Sequence, residues 1–210
     1  MTRKNKKKEK REPRKPKIDL RAGVSRPKPI SFQSANQVLQ QAREYPILGC
    51  WVMTEWQNRG LTPVVVARKQ PEERVIYGSF LVDLYCLGVK NAFWRSDISL
   101  KQFIRDLPEL LKDSPEPCEA DLAHELIYGS IEYARQYGFE PHFDYAKACL
   151  VLDPPEAHPR KNRVLFGKDG KPFFIAGPVD NARAIIAKLM QTAGKDNFDY
   201  MVMLGNPDNL

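Results

Sequence analysis

The chain has no run approaching the ~18 consecutive apolar residues that a membrane-spanning helix requires, which argues against a spanning segment. Its basic N-terminus is followed by neither an apolar stretch nor a small-residue cleavage site, so a secretory leader is not expected and the expectation is a cytoplasmic protein. Cysteine is sparse: Cys50, Cys86, Cys118 and Cys149 are widely separated and form no CxxC pair. The three histidines are equally dispersed. This spacing suits neither a zinc ribbon nor a redox dithiol, so no metal site and no cofactor are expected, and the cysteines read as reduced, mostly packed thiols.

Positive charge is absent in net from most of the chain. Residues 1–28 hold 13 Lys and Arg against Glu9, Glu12 and Asp19, a net of +10. Residues 29–210 hold 20 basic and 23 acidic side chains, a net of −3. The leader has almost no apolar side chains and is broken by Pro13, Pro16 and Pro27, with Pro29 just beyond it. Such a segment cannot bury enough surface to offset its ordering entropy, so residues 1–30 are expected to be a disordered basic tail. A block of like charge commonly grips polyanions. Here it comprises Lys4, Lys6, Lys7, Lys8, Lys10, Arg11, Arg14, Lys15 and Lys17, for which nucleic acid is the expected partner. A solubilising leader is the plainer alternative. An anionic membrane surface is a weaker one, since no amphipathic helix or lipidation signal accompanies the charge.

The remaining residues, 31–210, read as one α+β domain, with a division into lobes at 31–113 and 118–210 as a variant. A helix is predicted over 34–45, stopped by Pro46. The β-branched run 61–68 and the segment 75–84 predict a hairpin, and the second strand is expected to continue through a bend at Gly88. Ser99 is placed to cap a helix over 99–111, and residues 113–117 read as a loop. A longer helix over 119–137 ends at Gly138, and a short one follows over 143–150. Residues 163–166 and 173–176 read as a second hairpin with Asp169-Gly170 at its tip. A helix capped by Asp180 and a strand over 198–204 complete the chain. Hairpins separated by helices predict a largely antiparallel sheet with packed helices.

Chemistry-bearing residues fall into three sets. Asp83, Cys86 and Lys90 lie close together near the bend, where a carboxylate and a lysine are compatible with acid/base or phosphodiester chemistry. The alternative is that the two charges are ion-paired or solvated and Cys86 is core. His124, Glu125 and Tyr128 lie on the long helix, with His142 soon after. His124 and Tyr128 are helical neighbours, and a hydrogen-bonded His124 is the plainer reading beside a general base. A nucleophilic pair of Cys86 with either histidine would need tertiary proximity. Arg160, Lys161, Arg163, Lys168 and Lys171 against Asp169 give +4 in twelve residues, interleaved with Phe166, Phe173 and Phe174. This predicts a second nucleic-acid contact in which aromatics stack bases, although Phe on a short strand is more often core.

Three stretches, YGSFLVDLYCLGVKNAF (residues 77–93), HELIYGSIEYARQYGFEPH (124–142) and FGKDGKPFFIAGP (166–178), resemble a family of small bacterial proteins known mainly as uncharacterised sequences. The resemblance implies a single globular unit and brings no activity with it.

Three functions are therefore expected in order of preference. The first is a non-enzymatic nucleic-acid or ribosome-associated protein, RNA being favoured because no helix-turn-helix or zinc-finger pattern occurs. The second is a nucleic-acid hydrolase using Asp83 and Lys90. The third is a protein-binding adaptor whose surface includes Trp51, Trp56 and Trp94, should these be exposed.

Overall fold

A single run of β-branched residues sets the centre of the architecture. Strand β2 (Leu61–Gln70) carries Val64, Val65, Val66 and Ala67 in succession, and all four are buried. Successive strand residues point to opposite faces, so such a run requires both faces to be covered. The computed structural model, which describes residues 34–202, shows how. Strands β1 (Ile47–Met53), β2, β3 (Arg74–Asp83), β4 (Gly88–Ser99) and β5 (Pro115–Cys118) form an antiparallel sheet in the order β4-β3-β2-β1-β5. Val64 and Val66 join Val52, Ile76 and Phe80 beneath helix α3 (Ala120–Gln136), with Ala123, Leu126 and Ile127. Val65 and Ala67 join Val75 and Tyr77 on the other face, covered by Phe103, Leu107 and Leu111 of helix α2 (Leu100–Leu111).

Short elements complete the fold. Helix α1 (Ala35–Gln40) opens the described chain with a capping box between Ser34 and Gln37, and ends earlier than its sequence pattern implies because a 3-10 turn, Ala42–Glu44, replaces its last turn. Helix α4 is Tyr145–Ala148. Strand β6 (Phe173–Ile175), helix α5 (Ala182–Thr192) and strand β7 (Asp199–Met201) build a separate apolar cluster around Phe174, Leu189 and Phe198. The protein is thus α+β with a five-stranded antiparallel sheet and packed helices, as the order of predicted elements implies. Residues 1–30, with the expected tail and its cations, lie outside the described residues.

Four local expectations are corrected. The strand ending at Asp83 does not run on through Gly88; it turns over residues 84–87 and β4 returns antiparallel to it. Asp83 sets that turn, because its Oδ1 accepts the Tyr85 and Cys86 backbone N–H groups at 2.9 and 3.1 Å. Gly88 follows at φ +68°, where a Cβ would meet the Ser130 carbonyl oxygen at 2.9 Å, so glycine lets α3 seat against the hairpin. Residues 115–118 are not loop but the edge strand β5, which carries the sheet across the position of the envisaged lobe boundary. The second hairpin is reduced to a bridge between Lys168 and Lys171, and β6 pairs in parallel with β7 instead. Asn181, not Asp180, caps α5, by accepting from the Ala184 N–H.

Candidate functional site

A charge placed in an otherwise apolar strand must find partners or remain in water. Arg68, near the end of β2, is 2% exposed. Its guanidinium donates to the Val151 carbonyl at 2.6 Å and the Tyr45 carbonyl at 2.7 Å, and forms a close ion pair with Asp153. Asp153 thereby becomes the hub of a polar network beneath α3. Its other carboxylate oxygen faces His158 Nε2 at 3.0 Å, its backbone N–H donates to His124 Nε2 at 3.1 Å, and its carbonyl accepts from the Tyr128 hydroxyl at 2.7 Å. His158 Nδ1 faces Asp121 at 2.8 Å, and Lys161 pairs with Asp121 at 2.6 Å. The two imidazoles stack with centroids 4.0 Å apart.

The partners assign the protonation states. His124 Nδ1 lies 2.7 Å from the Ala120 carbonyl, so Nδ1 carries the proton and Nε2 accepts. Burial, reinforced by the neighbouring His158 charge, pushes the His124 pKa down to about 4, although the Ala120 hydrogen bond opposes the shift. His158 has a carboxylate at each nitrogen, so it is a doubly donating imidazolium. Burial alone would lower its pKa, but the bonds to Asp153 and Asp121 outweigh that and raise it. Asp153 is lowered because its bonds to His158 and Arg68 overcome desolvation. Hydrogen bonds from Lys161 and His158 hold Asp121 at about 2.

These states fix a pH dependence. The His158 contribution is complete below the ordinary histidine pKa near 6.5 and is lost as pH rises through its raised value. His124 acts in the opposite sense: the unfolded chain takes up a proton below about 6.5 that the folded chain refuses until about pH 4, a loss of at most about 3 kcal/mol at 1.36 kcal/mol per pH unit. Asp121 and Asp153 add to the acid limb, being stabilising above about pH 3.9 and less so as pH falls. Asp83, whose pKa burial raises, works against this acid limb, so the decisive side is alkaline: melting temperature is expected to fall as pH rises above about 6.5, and His158→Gln to flatten that fall. An unchanged alkaline limb in that variant would refute the assignment.

His124, Asp153 and His158 also place one ligand atom each within 4.8 Å of one another, the only such metal-capable group among the described residues. Each of those atoms already has a partner: His124 Nε2 accepts a backbone N–H, and His158 Nε2 and Asp153 bond each other. A cation would have to break these bonds and deprotonate His158. Added zinc is accordingly expected to leave the melting temperature unchanged, whereas a rise with zinc concentration would show that the triad takes metal.

The sequence candidates separate into distinct environments. Asp83 is occupied by the turn it shapes, and burial raises its pKa against the pull of the Tyr85 N–H and Lys90. Lys90 pairs with Asp180 at 2.5 Å, and Asp180 also accepts the Gly177 N–H. Cys86 is fully buried, its thiol pushed up to about 12 by desolvation, and no hydrogen bond joins it to His124 or His142. Glu125 faces the chain after His158: it accepts the backbone N–H groups of Lys161, Arg163 and Val164 at 3.3, 2.7 and 3.2 Å. Asp83 and Lys90 share no hydrogen-bond or ion-pair partner with His124 or Glu125.

No family model, curated protein or solved structure matches this chain. The site is therefore read from its own chemistry, and the predicted basic patch changes character. Arg160 pairs with Glu132 and lies over Phe166, Lys161 pairs with Asp121, and Arg163 reaches Glu119 at 3.3 Å and Glu125 at 3.6 Å. Lys168 sits over the Phe173 ring at 4.7 Å and Lys171 bonds the Asp196 carbonyl. Phe174 is buried core, so the three phenylalanines do not form an open stacking platform. Of the tryptophans, Trp56 is buried, and Trp51 and Trp94 are half-buried against the two faces of the sheet. Among the described residues no helix is long and apolar enough to cross a membrane.

Sequence reading missed Arg68, Asp121, Asp153 and His158. Only Arg68 carried a signal, as a charge ending a β-branched run. The others have partners distant along the chain.

Proposed function

We propose that the protein binds nucleic acid, RNA in preference to duplex DNA, with the cationic leader supplying affinity and the α+β unit supplying position. A ribosomal or other ribonucleoprotein setting fits that division. The observation that carries the reading is the segregation of charge: +10 in residues 1–28 against −3 in the rest. The pairing within the folded unit supports it from the other side, because Arg160, Lys161 and Arg163 are neutralised by α3 carboxylates and their neighbour Glu119. Much of the capacity to neutralise phosphates therefore falls to the leader. The test is fluorescence anisotropy of a labelled single-stranded RNA with the intact protein and with a protein lacking residues 1–28. Most of the affinity is expected to disappear with the leader; equal affinity would overturn the reading.

A further inference from the structure

Among the described residues, a groove carries cations that are not spent on carboxylates. It lies where the exposed half of β4 meets the end of α2, has a volume of about 440 Å³ open to solvent, and is lined by Tyr77, Phe93, Arg95, Asp106, Glu109 and Lys112 among others. A volume of that order suits a ligand of nucleotide size. Phe93 and Arg95 are two apart on β4 and share a face, and the register sets Arg95 opposite Tyr77 on β3. The buried Tyr77 ring supports Phe93 edge-on, with centroids 6.1 Å apart and planes at 80°. Phe93 itself is 44% exposed, beyond the part of that face where α2 covers Val65, Ala67, Val75 and Tyr77.

The rim supplies complementary charge. Among the described residues, neither Arg95 nor Lys112 has a carboxylate within ion-pair distance, in contrast to Arg160, Lys161 and Arg163. Lys112 is presented at the left-handed residue that ends α2, which turns the chain away at the mouth of the groove. Asp106 on the α2 wall is paired with Arg105 at 3.0 Å, whereas Glu109 beside it has no ion-pair partner among the described residues, and a carboxylate accepts hydrogen bonds from base amino and ring N–H groups. An exposed aromatic face, two cations without a carboxylate partner, Arg95 being steadied by the Tyr77 hydroxyl, and the Glu109 carboxylate around one nucleotide-sized space match the three parts of an unstacked nucleotide: its π-face, its phosphate and its base edge.

We infer that this groove holds one base of a single-stranded nucleic acid, stacked on Phe93, with its phosphate at Arg95 and Lys112. The inference deepens the nucleic-acid reading and rests on it. The groove fixes the position of a strand that the leader attracts without regard to sequence.

The test uses the full chain with a labelled single-stranded RNA over a range of salt concentrations. Phe93→Ala is expected to weaken binding about tenfold, within the ~1–3 kcal/mol that a stacked base contributes. The slope of affinity against salt should stay unchanged, because no phosphate contact is lost. Phe93→Trp should restore affinity, and a photoreactive base in the RNA should crosslink to the peptide containing residues 91–95. Wild-type affinity in Phe93→Ala, or a loss that Phe93→Trp does not repair, overturns the groove while leaving a steep salt slope, and with it the leader, intact. Absence of binding by the unaltered protein removes both. Crosslinking confined to the leader, or undiminished competition by duplex RNA, likewise counts against the groove.

Discussion

Truncating Glu125 to alanine is expected to destabilise the protein by about 3–5 kcal/mol, the range for removing one partner of a buried charged network. The carboxylate is 1% exposed and is the acceptor for three backbone donors of the 161–164 segment, Lys161, Arg163 and Val164. Its loss leaves these N–H groups without their acceptor, at about 1–3 kcal/mol for each that stays buried. The neighbouring Arg163 guanidinium loses one of its two carboxylate partners and keeps Glu119. For a chain of this size each kcal/mol moves the melting temperature by roughly 2–4 °C, so a drop of about 10 °C is expected in a thermal melt followed by circular dichroism. Glu125→Gln keeps one acceptor oxygen and should lie between the two. Amide exchange in Glu125→Ala should accelerate first over residues 158–166, the strap that Glu125 and His158 hold against α3. A change within about 0.5 kcal/mol, the range of an ordinary surface substitution, would show that Glu125 does not anchor that strap.

Replacing Lys4, Lys6, Lys7, Lys8, Lys10, Arg11, Arg14, Lys15 and Lys17 by glutamine is expected to have the largest effect on binding. Each phosphate neutralised on a single strand contributes about −0.7 to the slope of log affinity against log salt. Nine contacts correspond to a slope of about −6, and 6–10 contacts to a loss of about 10³–10⁵ in affinity between 50 and 200 mM salt. The glutamine variant keeps Arg3, Arg21, Arg26 and Lys28 in the leader, so its slope should fall to between about −1, from Arg95 and Lys112 alone, and about −4 if all six remaining cations engage phosphates. Its melting profile should match the parent, because the sheet, both faces of its core and the His158 network are all built from residues 34–202. A parental slope in the variant would move the phosphate contacts onto the folded unit.

Local pattern made some elements legible and long-range pairing hid the rest. The β2–β3 hairpin follows from its β-branched runs, and α2 and α3 from 3.6-residue periodicity, because those signals lie within the element itself. Strand β5 is disguised by Pro115 and Pro117, residues that normally end a strand. As an edge strand β5 has a neighbour on one side only, so alternate N–H groups can be missing. The Asp169-Gly170 signal yielded its turn but no hairpin, since β6 finds its partner 26 residues ahead in β7. Within the site, His124 and Glu125 stand out as polar residues on an apolar helix face, but nothing local reveals that Asp153, His158 and the 161–164 backbone meet them. The charge count of residues 160–171 likewise leaves out Glu119, Asp121 and Glu132, which the fold sets directly opposite.

The central claim is that the cationic leader brings this protein onto nucleic acid in the cell. Ultraviolet crosslinking in living cells, followed by denaturing purification of the intact protein and of its leader-neutralised variant, tests it most directly. RNA should be recovered covalently bound to the intact protein and be strongly depleted with the variant. Recovery of neither RNA nor DNA with the intact protein would contradict the claim.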